Sequence, residues 1–555
     1  MNSIFYLLFL YFVFKINAEP LVKISKGILD GTTEISKNGR KYSAFLGIRY
    51  AKAPVGNLRF QNPEASEAWI GIRPAKTFGN ICPQKDGRRS VVGDEDCLFL
   101  NVFTPKLEFN SLPSDTNALL PVMFFIHGGG FILGSSNIYG AQYFLDKNVI
   151  LVTINYRLGM LGFLTTGDLV APGNFGLKDQ VLALKWVQEN IKSFGGDPTK
   201  VTIFGQSAGG VSVNLHAFSP ASTGLFSAYI IHSGVALTPL GFQTREKSLS
   251  YLRRVSPKVL CISRNTRNLV ACLRRKSVAS LVNIDSGPNP LNWLPTDEMD
   301  NDDAFLTDTP KNLMNNNATK DLPFMSGAVA DEGLLITQAL YSNDLLYNLF
   351  KLNTNHLIDY MNRRYYETES SRRFRNEVTR FYFNGSILTS TKADYLDSLT
   401  RFIGDGLFLH PQVRMIEKVT PVNRNPNYFY NFAYRGSMSI TMMDGNQANI
   451  GVDHGDDALY LFPVTINNFR ITHLNFTTND DYVSKLMIDL WTSFATNRVP
   501  VSSVLTNSNL WSPYTIQNPV HIQIGNIRNN KDPSVTLSNN YYTQRMNFWR
   551  NNAPL

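Results

Sequence analysis

The stretch Val201–Gly210, VTIFGQSAGG, limits the possible folds of this chain more than any other. Val201–Phe204 is a β-branched and aromatic run that reads as a strand, and Ala208–Phe218 can continue as a helix. Between them Gly205-Gln206-Ser207-Ala208-Gly209 fits G-x-S-x-G. In that pattern a sharp strand-to-helix turn lifts a serine hydroxyl clear of a sheet, and glycines flank it because the backbone is too crowded for side chains. A pentapeptide of such common residues can arise by chance, so the weight comes from the strand and helix around it. The competing reading is one more polar residue in a turn.

The surrounding chain supplies the rest of an α/β pattern. Apolar runs at Pro121–Ile126, Val149–Ile154, Val201–Phe204, Tyr229–Ile231 and Leu322–Met325 read as buried strands. Between the second and third, Val181, Leu184, Val187 and Ile191 recur at helical spacing, and Gly195-Gly196 supplies the stop. Strand, helix, strand, nucleophile turn, helix is the order of a mostly parallel sheet wrapped by helices. Beyond about residue 335 the pattern mixes helical stretches, such as Asp480–Thr496, with aromatic strands, such as Tyr428–Tyr434. No Pro/Gly/Ser linker, composition break or internal repeat divides the chain, so 19–555 is expected to be one α/β unit with long insertions.

The N-terminus points to export. Ile4–Phe14 is apolar and is followed by the small residue Ala18, a run too short for a spanning helix of ~20 residues but fitting a cleaved secretory signal over 1–18. No second long apolar run and no C-terminal anchor signal follow, so the expected product is secreted, with no membrane anchor. Four cysteines fall as two sequence-close pairs, Cys82 with Cys97 and Cys261 with Cys272, which suits an oxidising compartment and does not suit zinc. Three N-x-S/T sequons, at Asn317, Asn384 and Asn475, are available for glycosylation. The net charge of +9 arises in short clusters such as Arg264–Lys276 and Arg363–Arg375, separated by acidic residues. That reads as a solvated basic face, since a nucleic-acid groove wants a concentrated stripe with interleaved aromatics.

A serine hydroxyl needs a base to take its proton, an acid to orient that base, and amides to receive the oxyanion. On a fold of this kind the chain order is Ser, then Asp/Glu, then His. Among His356, His410, His454, His473 and His521, all beyond Ser207, His454 stands out in the loop IGVDHGDDALYLF between Gly451 and Gly455. The bland alternative is a surface histidine beside aspartates. For the acid, LPFMSGAVADEGLL ends a strand and offers both Asp331 and Glu332, which the residues alone do not separate. In FFIHGGGFILG, Gly128 to Gly130 follow a strand upstream of the nucleophile, as oxyanion loops do. A phosphate-binding loop is the competing reading, but no Walker Lys-Ser/Thr pair is present.

Taken together, FLGIRYAKAPVGNLRFQNPEA, GDEDCLFLNVFTP, PVMFFIHGGGFILGSS, APGNFGLKDQVLALKWVQENI, FGGDPTKVTIFGQSAGG and GVDHGDDALYLFP resemble, in order, signatures of the type-B carboxylesterase and cholinesterase family of α/β-hydrolases. The resemblance covers nearly the whole chain after residue 18. It implies Ser207, Glu332 and His454 as a triad, with oxyanion amides on Gly129, Gly130 and Ala208. It also implies disulfides Cys82–Cys97 and Cys261–Cys272 and structural ion pairs Arg59–Glu95 and Arg157–Asp179. Chemistry of this kind uses a small-molecule ester and needs no metal and no cofactor.

Two features narrow the substrate. Relatives commonly carry Glu before the serine, where this chain has Gln206, which removes a negative charge near the imidazolium that forms during reaction. The GQSAG spelling, Arg59-Phe60, Asp179-Gln180 and the G-x-x-H-x-x-D form at Gly451, His454 and Asp457 resemble arthropod juvenile hormone esterases. The loop between Cys82 and Cys97 holds no aromatic residue, so a cation–π contact to choline is absent there. The expected activity is hydrolysis of lipophilic or xenobiotic carboxylic esters. The competing readings, an adhesion protein or a ligand-sequestering carrier on the same fold, follow from the fact that fold is not function.

Overall fold

The computed structural model describes residues 19–109, 119–284, 291–443, 445–446, 448–466, 469–507 and 511–553. The apolar segment Ile4–Phe14 lies outside them. An eleven-stranded sheet runs through the molecule. In chain order its strands are β1 (Thr32–Ile35), β2 (Lys41–Arg49), β3 (Phe99–Thr104), β4 (Leu120–Ile126), β5 (Ile150–Ile154) and β6 (Gly196–Gln206). These are followed by β7 (Ala228–His232), β8 (Phe324–Val329), β9 (Asn427–Phe432), β10 (His521–Ile524) and β11 (Val535–Ser538). Across the sheet the order is β11-β10-β9-β8-β7-β6-β4-β5-β3-β2-β1. Pairing is parallel from β5 through β10 and antiparallel at both margins.

The strands of the parallel block are buried on both faces, which is why they read as continuous apolar runs. Alternation then splits each run between two cores: Phe124, Ile203 and Tyr229 pack on one side of the sheet, Phe125, Phe204 and Ile230 on the other. The helix Phe175–Asn190 carries the chain from β5 across to β6, on the opposite side of β4. The connection direction therefore reverses at β4, and open α/β sheets build sites just beyond the carboxyl ends of strands at such a switch point. The loop after β4 and the turn after β6 both lie there.

Most expected strands correspond to observed ones. The run Leu322–Met325 is shifted: the strand starts at Phe324 and continues through Ser326-Gly327-Ala328 to Val329. Pro323 has no N–H for the ladder, and a side chain at 327 would collide with the Tyr430 ring at 2.2 Å, so the strand continues beyond the expected run through small residues that gave no apolar signal. The helix Thr478–Asn497 and the strand Asn427–Phe432 match the legible parts of the second half within a few residues.

Disulfides join Cys82 to Cys97 and Cys261 to Cys272, with no free cysteine among the described residues. Arg59 pairs with Glu95 at 2.5 Å and Arg157 with Asp179 at 2.6 Å, all four side chains buried. Burial pushes the Asp179 carboxyl up, against the pull of the Arg157 guanidinium that grips both its oxygens. Asn317, Asn384 and Asn475 are exposed. No helix of the described residues is long and apolar enough to cross a membrane.

Candidate active site

The turn after β6 places Ser207 at φ 58°, ψ −122°, a conformation that L residues avoid. It persists because the surroundings leave no alternative. A Cβ on Gly209 would sit 2.0 Å from the Ile126 carbonyl oxygen, and one on Gly205 would sit 2.5 Å from Gly209, so both flanking positions exclude any side chain. The Ser207 amide donates to the His232 carbonyl at the end of β7, 2.9 Å away. Ser207 thus stands at the start of the helix Ala208–Phe218, whose N-terminal dipole favours developing negative charge.

The loop after β4 brings Gly128, Gly129 and Gly130 against the same turn. Gly129 has φ 111°, and a side chain there would meet the Leu133 carbonyl oxygen at 2.1 Å. Among the described residues the amides of Gly129 and Gly130 carry no backbone hydrogen bond, and both glycines line the same cavity as Ala208. His127, just before them, donates from Nδ1 to the Gly128 carbonyl, and burial lowers its pKa to about 4.

His454 lies on the loop following Gly451, and Glu332 follows β8 by three residues. The His454 Nδ1 donates to Glu332 Oε2 at 2.5 Å, while Glu332 Oε1 accepts from the Val329 amide at 3.0 Å. Because a carboxylate only accepts, Nδ1 carries a proton, and in the neutral ring Nε2 is left with a lone pair. Nε2 is buried and has no partner among the described residues. Phe408 packs on the imidazole, ring centroids 4.7 Å apart.

Asp331, the other acid that the sequence offered, turns away from His454. Its Oδ2 accepts from the Val452 amide at 2.9 Å. His521 is buried in β10, His410 is buried in a helix, His356 is exposed, and His473 meets the edge of Tyr143.

Sequence reasoning missed a second buried network beside the first. His232 Nδ1 donates to Asp457 Oδ2 at 2.9 Å, Tyr430 donates to the same oxygen at 3.0 Å, and the Trp491 indole donates to His232 Nε2 at 2.8 Å. An indole N–H can only donate, so His232 Nε2 is unprotonated and the ring is neutral. Burial raises the Asp457 carboxyl, but the hydrogen bonds from His232 and Tyr430 work against it, and its pKa lies below the usual value. Asp457 belongs to the G-x-x-H-x-x-D pattern, which was the only signal available; nothing in the sequence singled out His232.

Ser207, His454, Gly129, Gly130 and Ala208 all line one cavity of about 630 Å³. Its far walls come from the insertions: Leu335, Leu357, Met361, Tyr365, Leu407 and Phe408. No Asp, Glu, Lys or Arg is among the lining residues. No cluster of metal-ligand side chains occurs among the described residues.

A strained serine on a strand-to-helix turn, at the switch point of a mostly parallel sheet and in a cavity shared with a carboxylate-held histidine, defines an α/β-hydrolase. The model of the carboxylesterase family matches residues 18–549. A carboxylic ester hydrolase of Bombus ignitus is 35% identical, covering 98% of this chain and 95% of its own length. Esterase FE4 of Myzus persicae is 35% identical over 91% of this chain and 88% of its own length. A juvenile hormone esterase of Tribolium castaneum is 36% identical, over 92% and 88% respectively. The chain belongs to the carboxylesterase family and is a carboxylesterase-type hydrolase.

Proposed function

We propose that this protein is a secreted serine esterase in which Ser207, His454 and Glu332 act as a triad on neutral, lipophilic carboxylic esters. The observation that carries the reading is the His454 ring, its Nδ1 held by Glu332 and its Nε2 unpartnered in the cavity that contains Ser207. His454 Nε2 takes the Ser207 proton as Oγ attacks the ester carbonyl, and the Glu332 carboxylate steadies the imidazolium. The amides of Gly129, Gly130 and Ala208 receive the oxyanion, each such donor contributing ~3 kcal/mol to the transition state. His454 then protonates the leaving alcohol, and water activated by the same nitrogen hydrolyses the acyl-enzyme.

The substrate class rests on the cavity wall. A lining without ionised side chains offers a charged ester no compensation for lost hydration, whereas long apolar acyl or alcohol chains gain by burial. Juvenile hormone belongs to this class, and the similarity to a juvenile hormone esterase together with the GQSAG turn supports it as a candidate. Secretion is supported by the apolar segment before Ala18 and by two disulfides. Residues 19–555 are taken as one catalytic unit, with Asn317, Asn384 and Asn475 as exposed glycan acceptors.

The experiment is kcat/KM on juvenile hormone and on p-nitrophenyl butyrate in parallel, with Ser207→Ala as the blank and a fluorophosphonate to titrate the serine. Strong preference for the hormone at low KM identifies a hormone esterase; preference for the generic ester identifies a broad one. A wild-type protein that neither turns over an ester nor reacts with the fluorophosphonate overturns the reading.

A further inference from the structure

Residues 245–276 contain ten Lys and Arg against one acid, Glu246, a net +9 equal to the formal charge of the whole chain. The remaining residues, with the Arg363–Arg375 cluster among them, sum to zero. Two of the ten cations form ion pairs among the described residues, Arg245 with Glu246 and Asp297, and Lys247 with Glu367. Arg253, Arg254, Lys258, Arg264, Arg267 and Arg275 are exposed, and none of them forms an ion pair among the described residues. The charge of Arg267 acts on Asp168, whose oxygens accept from the Thr166 and Thr266 hydroxyls.

In the middle of the same stretch two large aliphatic side chains stand in water. Leu260 is 79% exposed and Ile262 is 80% exposed, on either side of the buried Cys261. Leu260 has φ 57°, at the apex where the short helix Ser256–Val259 ends. The Cys261–Cys272 bond closes the knuckle. From the inner side the buried Arg59 guanidinium donates to the carbonyls of Arg274 and Lys276, at 2.9 and 2.7 Å, while its other N–H groups hold Glu95. That contact also satisfies carbonyls at the C-terminal end of the helix Thr266–Arg274.

We propose that this knuckle is a peripheral docking surface for an anionic lipid interface. Charge complementarity selects a negative partner, and juxtaposed cations are drawn to anionic headgroups over about a Debye length. The cations alone fit any polyanion. Leu260 and Ile262 decide between them: a sulfated polysaccharide gives exposed aliphatics nothing, whereas a bilayer surface takes them into the headgroup and acyl boundary. Because disulfide and Arg59 fix the knuckle beforehand, little ordering opposes binding.

The test is co-sedimentation of the full-length protein with phosphatidylcholine vesicles, with and without about 30 mol% phosphatidylserine. Wild type is expected to bind the anionic vesicles at least about tenfold more tightly than the neutral ones, and to release as salt rises from about 0.1 M to about 0.5 M. Arg253→Glu with Arg254→Glu and Lys258→Glu should abolish binding. Leu260→Ser with Ile262→Ser should weaken vesicle binding about tenfold yet leave retention on heparin unchanged. Hydrolysis of p-nitrophenyl butyrate at the wild-type rate confirms that each variant is folded. Equal binding to both vesicle types, retention by heparin without vesicle binding, or an unaltered Leu260/Ile262 double variant would each overturn the proposal.

Discussion

Asp331 and Val452 exchange two hydrogen bonds: the Val452 amide donates to Asp331 Oδ2 at 2.9 Å, and the Asp331 amide donates to the Val452 carbonyl at 3.2 Å. The pair ties the residue before Glu332 to the loop that carries His454. Gly451 lies close beneath it at φ 131°, where a Cβ would come within 2.6 Å of Asp331 Oδ2. Two loops from distant parts of the chain thus share one clamp a few residues from the Glu332–His454 bond.

Removing the acceptor should therefore be felt at His454. Asp331→Ala leaves the Val452 amide unpaired, a loss of ~1–3 kcal/mol, and is expected to lower kcat roughly tenfold with little change in KM. Asp331→Asn keeps an accepting oxygen and should retain most of the rate. Steady-state kinetics beside a thermal melt decides this, and full kcat in a folded Asp331→Ala protein would remove the clamp from the account.

Glu332→Gln separates geometry from charge. The carboxamide can still accept from Val329, but its NH₂ group faces His454 Nδ1 and favours the tautomer with the proton on Nε2. A base protonated at the wrong nitrogen cannot accept from Ser207. We expect kcat to fall by ~10⁴ while the urea midpoint moves little. Activity within tenfold of wild type would mean that another group orients the histidine.

The legibility of the sequence followed burial. Strands β4 to β7 sit in the middle of the sheet with both faces covered, and their unbroken apolar runs announced them. At the antiparallel margin, β1 (TTEI) is exposed or half-buried and too polar to stand out, so it went unread. Ser207 was legible because its backbone strain demands glycines, a local signal. Asp331 and Glu332 were not separable, since neighbouring residues at a strand end differ only in which way the chain turns next. The cavity walls were illegible for a related reason: Leu335, Met361 and Phe408 lie on helices whose apolar spacing does not say which faces look into a cavity.

His232 should matter to stability more than its position away from the cavity suggests. Replacing it with alanine strands the Trp491 indole and takes a donor from the buried Asp457 carboxylate. An indole left without an acceptor and a buried carboxylate left with Tyr430 as its remaining side-chain donor cost about 2–5 kcal/mol together. His232→Gln, which can present both a donor and an acceptor, should recover part of that. Urea denaturation measures it, and an unchanged midpoint for His232→Ala would show that water replaces the ring at no cost.

Acid should destabilise the fold well above the carboxylate range. Burial lowers the pKa of His127 and His521 to about 4, and of His216 and His410 to about 3. In the unfolded chain each would titrate near ~6.5. As pH falls below that value the unfolded state takes up four protons that the folded state refuses, so stability present above pH ~6.5 is progressively lost. Asp456 works in the opposite sense. Burial raises its carboxyl to about 6, so between there and pH ~4 the folded state holds a proton that the unfolded state releases. For these five groups the difference is roughly three protons, a slope of about 4 kcal/mol per pH unit near pH ~5, which the burial-raised carboxyls of Asp179, Glu298 and Asp331 reduce. Urea midpoints taken from about pH 7.5 down to about pH 5 should fall steeply. A midpoint that stays level over that interval would mean that these histidines are reached by water and titrate normally.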